Sequence, residues 1–212
     1  RVPLVIMFIE RAVERRPFLN FSLVGLVLGV LILSPHLQMS YFTLWATGLY
    51  TLFKLINLYR EKRSIGALAL PTGLAAYAVV LGLLISAIQF YPGYYYTTHF
   101  SPRADAKRGW DWATSWSMHG EEAMNLVIPE FSGSNTNTPG VYYWGKNAFK
   151  DNSEAVGIIT IFAGLIGLIC ARRREKWFFG GLGLFALTYG LGASTPLFHL
   201  YFLIPKVDSL RA

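Results

Sequence analysis

Apolar residues in this chain fall in long blocks separated by short charged punctuation, where a water-facing chain would interleave the two. Five blocks reach or approach the roughly 17–25 residues that a helix needs to cross a hydrocarbon core. They predict membrane helices over 18–34, 39–56, 65–90, 155–171 and 177–193. The first is apolar apart from Asn20 and Ser22 at its start. The second mixes tyrosines and Trp45 into its apolar face and is expected to pack on protein. The third contains Pro71 in its opening turns, where proline is tolerated. Gly25-x-x-x-Gly29 in the first block, and the glycines Gly157, Gly164, Gly167, Gly180, Gly181 and Gly183 of the last two, predict close helix approach.

Composition supports the same solvent. The hydrophobic fraction is 53%, the charged fraction 15% and the mean hydropathy +0.39, too few polar residues to cover a soluble globule. The net charge of +7 does not indicate nucleic acid, because the cations sit in short runs between apolar blocks and not along a polar stripe. One set of connections holds Arg11, Arg15 and Arg16, then Lys54, Arg60, Lys62 and Arg63, then Arg172, Arg173, Arg174 and Lys176, with few acids. The bias of Lys and Arg toward the cytoplasm places these turns inside. Span parity agrees, leaving residues 91–154 as one large aromatic-rich loop on the outer side.

The expected organisation is therefore an all-α membrane protein. Helices occupy 1–90, an extracytoplasmic loop 91–154, a helical pair 155–193 and an outer or interfacial tail 194–212. The segment Ser194–Pro205 is too short for another span and reads as interfacial or re-entrant. Val2–Ile9 reads as the tail of an apolar helix already under way, so an internal fragment of a longer protein is expected. Cys170, inside an apolar block, predicts a small buried side chain and no internal disulfide.

Chemistry gathers on the outer side. The aspartates Asp105, Asp111, Asp151 and Asp208 and the histidines His36, His99, His119 and His199 all fall there or at its boundary. Trp110-Asp111-Trp112, Trp116 and Met118-His-Gly-Glu-Glu122 form the densest cluster. Carboxylates beside indole faces suit carbohydrate: acids accept hydrogen bonds from hydroxyls or act as bases, and the ring stacks on the sugar's apolar face. The same tryptophans also suit anchoring in the membrane interface. His119 with Glu121 or Glu122 offers ligands for a divalent metal, but the spacing matches no metal signature, so no cofactor is assigned. Pro35-His36-Leu37-Gln38 is a helix turn whose His36 and Gln38 either satisfy the turn or line a polar cavity. No nucleotide loop, paired Cys motif or nucleophile elbow is present.

With these residues in view the chain resembles the YfhO family of bacterial multi-pass membrane proteins. The resemblance rests on Pro35-His-Leu-Gln-Met-Ser-Tyr41, the helix exit Gln89-Phe-Tyr-Pro92 and Ser115-Trp-Ser-Met-His-Gly-Glu-Glu122. It continues through Pro129-Glu-Phe-Ser-Gly133, Tyr143-Trp-Gly145, Asp151-Asn-Ser-Glu-Ala-Val-Gly157 and the closing Leu210-Arg211-Ala212. That family is similar to GT-C glycosyltransferases. The resemblance implies transfer of a sugar from a polyprenyl-phosphate donor to a cell-envelope acceptor on the outer face. It also implies a catalytic acid in an outer loop preceding Arg1. His36, Gln38, Asp111, Trp116, His119, Glu121 and Glu122 would then bind donor or acceptor. A lipid transporter or flippase, or a membrane subunit without chemistry, are the competing expectations. Candidate residues gathered at one face, with no mid-span charge, favour the enzyme over the transporter.

Overall fold

The computed structural model describes residues 2–34, 37–101, 109–133, 142–145, 155–204 and 207. Every regular element among them is helical. The chain divides into two compact units, Arg1–Ala106 and Lys107–Ala212, each described by itself.

The first unit contains α1 (Val2–Glu14), α2 (Pro17–Ile32), α3 (Leu37–Lys62) and α4 (Gly66–His99). In α1, Val5, Ile9 and Ala12 recur at helical spacing and are buried as one stripe. The chain reverses at Arg16, which takes a left-handed conformation (φ 48°), and Pro17 opens the next helix with its preset φ. Asn20 holds this turn together: its amide donates to the carbonyls of Arg15 (2.7 Å) and Arg16 (3.1 Å). At the other end of α2, the Ser40 hydroxyl donates to the Leu31 carbonyl at 3.0 Å and fastens α3. A half-buried tie joins α1 to α3, where Glu10 accepts hydrogen bonds from Tyr50 and, at 2.9 Å, from Lys54.

Helices α2 and α4 run parallel and touch along small residues. A side-chain carbon at Gly25 would lie 2.8 Å from the Ala78 carbonyl oxygen, and one at Gly29 would lie 2.7 Å from Ile85 Cβ. Gly82 and Ser86 present the matching buried face of α4. The Gly25–Gly29 pair thus permits backbone approach that any larger residue would block.

α4 has 34 residues, about 51 Å of helix against a hydrocarbon core of about 30 Å. Among the described helices it is the one long and apolar enough to cross a membrane by length and composition. α2 and α6 are apolar but have 16 and 13 residues. The expected span over 39–56 lies within a 26-residue α3 whose Lys54, Arg60, Glu61 and Lys62 reduce its apolar character. Length and apolarity together are thus met once among the described residues, against five expected.

Two further expectations are corrected. Residues 91–99, expected to open the outer loop, are helical, and α4 continues through both Pro71 and Pro92. Pro92 removes one backbone bond, yet local contacts hold the helix beyond it. Phe90–Tyr94 and Tyr95–His99 stack one turn apart, with centroids 6.4 and 4.4 Å apart, and the Thr97 hydroxyl donates to the Gly93 carbonyl at 2.7 Å. Cys170 is exposed, not buried, because α6 buries none of its side chains within its unit.

The second unit contains α5 (Trp110–Ala113), a 3-10 stretch over Gly120–Leu126, α6 (Ile158–Cys170), α7 (Glu175–Gly190) and α8 (Phe198–Tyr201). Its buried centre is aromatic. Trp110 lies against Phe198 (5.6 Å), His199 (4.2 Å) and Phe202 (5.6 Å), while Tyr189 and Phe185 of α7 meet Tyr201. Residues 194–204 therefore fold back on α7 and Trp110 within this unit; Pro205, the end of the expected interfacial segment, lies outside the described residues. Both units leave large apolar side chains outward, Ile88 at 81% and Ile159 at 82% exposure among them. Surfaces of this kind require a lipid or protein neighbour.

Candidate functional site

The described residues of 110–145 build a small core of their own at one end of the α6–α7 pair. It starts at the C-terminus of α7, where the Gly190 carbonyl accepts the Met118 N–H at 2.9 Å. The Ser117 hydroxyl accepts the Ala193 N–H at 3.0 Å, and the Ser194 hydroxyl donates to the Met118 carbonyl at 3.1 Å. Three bonds from separate groups thus fix the two residues that precede His119. At the start of α6, the Val156 N–H donates to the Leu126 carbonyl at 3.1 Å. The turn carrying Arg172, Arg173 and Arg174 joins the other ends of the same two helices.

His119 is extended (ψ 149°) and leads into the 3-10 stretch, whose tight winding sends Glu121 outward and Glu122 inward. Glu122 is 3% exposed. Its two carboxylate oxygens accept from the Tyr143 hydroxyl at 3.2 and 3.3 Å, and His119 Nδ1 lies 4.0 Å from Oε1. That nitrogen is buried and makes no hydrogen bond among the described residues, although 37% of the side chain is exposed. The ring thus turns Nδ1 toward the carboxylate and its opposite edge outward.

Two further contacts brace the pair. The Asn125 amide donates to the Ser132 hydroxyl at 2.8 Å and accepts the Ser132 N–H at 2.9 Å, both residues being buried. The Ser132 carbonyl then accepts the Trp144 N–H at 3.0 Å, which brings the Tyr142–Gly145 strip onto the 3-10 stretch. Glycine is required at two places. Gly133 has φ 82° and lies against the Tyr142 backbone, and a side-chain carbon at Gly145 would overlap both the Glu122 carboxylate and the Tyr143 hydroxyl.

Of the residues selected from sequence, the structure brings His119 and Glu122 together. Glu121, Asp111 and Trp116 are exposed on the same unit. Trp110 is committed to the α8 aromatic stack, whereas Trp112 and Trp116 are 38% and 43% exposed. Gln38 stands in the first turn of α3 in the other unit, and His36 lies outside the described residues. Tyr143, Asn125, Ser132 and Gly145 were not selected as site residues, though Ser132, Tyr143 and Gly145 lie within the quoted motifs. Among the described residues no group of three or more metal-binding side chains occurs. A separate groove of about 320 Å³ in the first unit is lined by Ile32, Ser34, Gln89, Phe90, Tyr94 and Thr97, with no charged residue.

No family model, curated protein or solved structure matches this chain.

Proposed function

We infer that this chain is part of a multi-pass protein of the bacterial cytoplasmic membrane, with about five spans and its 91–154 segment on the outer face. The function that best fits is GT-C-like glycosyl transfer, from a polyprenyl-phosphate sugar to a cell-envelope acceptor. The loop core supplies one wall of the site, and the YfhO resemblance implies a catalytic acid on another outer loop.

The observation that carries this reading is the buried Glu122, held by Tyr143 beside His119, in a loop fastened to the C-terminus of α7. The residues that assemble this core belong largely to the motifs on which the resemblance rests. Further support comes from the exposed apolar surfaces, from the span length of α4 and from the basic turn at the opposite ends of α6 and α7. The partly exposed indoles of Trp112 and Trp116 are of the residue type that stacks on a sugar ring.

The test is envelope composition. A strain lacking the gene is complemented with the wild type or with Glu122→Ala, and glycosylation of purified envelope polymers is read by mass spectrometry. Glycosylation restored by the wild type and lost with an inserted Glu122→Ala protein is the expected result. Full transfer by Glu122→Ala would remove the loop from the site.

A further inference from the structure

We propose that His119 is a proton-accepting residue of the outer-face site, with Glu122 as the residue that positions it. This rests on the transferase reading above. Glu122 is almost fully buried, and an ionised carboxylate in such a place needs donors or a cationic neighbour. Tyr143 supplies an O–H to both oxygens, and His119 Nδ1 faces Oε1 at 4.0 Å with no other hydrogen-bond partner among the described residues. A carboxylate behind Nδ1 holds the imidazole proton there and leaves the Nε2 lone pair at the outward edge of the ring. The 4.0 Å separation is longer than a hydrogen bond, as catalytic contacts often are before ligand closes them.

The described groups around the ring are carboxylates and a phenol. Glu121 is adjacent and exposed, Glu122 lies behind the ring, and Tyr143 comes from the facing strip. The helix end that pins Met118 brings Tyr189 but no charge, since residues 177–204 contain no Asp, Glu, Lys or Arg. Among the described residues, a phosphate at this edge would meet carboxylates, whereas a neutral hydroxyl would not be repelled.

The ligand class that fits is a neutral hydroxyl group of the acceptor. In the step proposed, the acceptor O–H bond breaks and its proton passes to His119 Nε2. The acceptor oxygen forms the new bond to the sugar's anomeric carbon. The bond from that carbon to the lipid-phosphate oxygen breaks, and its electron pair leaves on the phosphate. Glu122 meets neither sugar nor acceptor. It fixes the tautomer, and Tyr143 holds Glu122.

Two readouts test the pair. The full-length protein in lipid nanodiscs, labelled with ¹⁵N-histidine, reports the His119 tautomer in alkaline buffer, with His119→Asn identifying its signals. The Nδ1–H form is expected in the wild type, shifting toward Nε2–H in Glu122→Leu while Tyr143 variants keep the helix signals unchanged. In the complemented strains, His119→Asn is expected to lower transfer by roughly 100-fold or more, and Glu122→Gln is expected to retain more activity than Glu122→Leu. An Nε2–H wild type, or wild-type transfer by His119→Asn, overturns the proposal. If wild-type and null strains carry identical envelope polymers, the transferase reading falls. The tautomer then decides the pair alone: an unmoved signal in Glu122→Leu ends it, and the expected shift upholds it.

Discussion

Replacing Asn125 by alanine tests how the loop core is held. The native amide makes two reciprocal bonds with Ser132, at 2.8 and 2.9 Å, and both residues are sealed from solvent. The substitution removes two hydrogen bonds worth about 0.5–1.5 kcal/mol each and leaves the Ser132 N–H buried without its acceptor, a penalty of about 1–3 kcal/mol. These terms overlap, since the unpaired donor is part of what the lost bond costs, so the net effect is about 2–4 kcal/mol. The cost falls on a short irregular segment outside the long helices, and so should appear as local opening. Hydrogen exchange read by mass spectrometry on peptides covering 117–133 should speed up by ~30-fold to ~700-fold, each 1.4 kcal/mol being a factor of ten. Peptides from α2 and α4 should not change. Asn125→Asp keeps the acceptor for the Ser132 N–H and loses only the donor, so it should fall between the two. Exchange in 117–133 within about threefold of the wild type would refute the assignment of Asn125 as the bracket of this core.

Other outcomes follow from the packing. Gly29→Leu should destabilise the α2–α4 pair by about 1–3 kcal/mol through overpacking against Ile85, seen as a lower midpoint in thermal unfolding of the detergent-solubilised protein. Lys54→Met strips Glu10 of its ionic partner while Tyr50 remains. With side-chain exposures of 15% and 27% the pair lies between surface and buried limits, so about 1–3 kcal/mol is expected, and a double-mutant cycle with Glu10→Gln should recover part of it. Gly145→Ala pushes a methyl group onto Glu122 and Tyr143, and should abolish envelope modification while leaving the protein inserted, as judged by membrane-fraction immunoblot.

The helices were legible where apolar periodicity and breakers agree. The block expected at 18–34 is the helix Pro17–Ile32, bounded by the proline that starts it, and the Gly25–Gly29 spacing does mark a close helix contact. The end of α4 was not legible, because Pro92 is a local stop signal. What carries the helix past it, stacking of Phe90 on Tyr94 and Thr97 bonding back to Gly93, exists only once the helix has formed. Within the candidate site, composition and spacing selected His119, Glu121 and Glu122 but could not separate the two glutamates. Their separation depends on the phase of a 3-10 stretch and on a tyrosine 21 residues away, neither of which leaves a periodic trace. Cys170 reads as buried by residue type and is exposed because α7 covers its helix too sparsely to bury any of its residues.

The central claim, an outer-face loop opposed to basic cytoplasmic turns, is tested most directly by labelling single cysteines in spheroplasts of a Cys170→Ser background. A membrane-impermeant maleimide should modify Glu121→Cys at once, and should reach Glu61→Cys and Arg173→Cys only after the membrane is permeabilised. Immediate labelling at Glu61→Cys and Arg173→Cys, with Glu121→Cys protected, would contradict the orientation and with it the location of the proposed site.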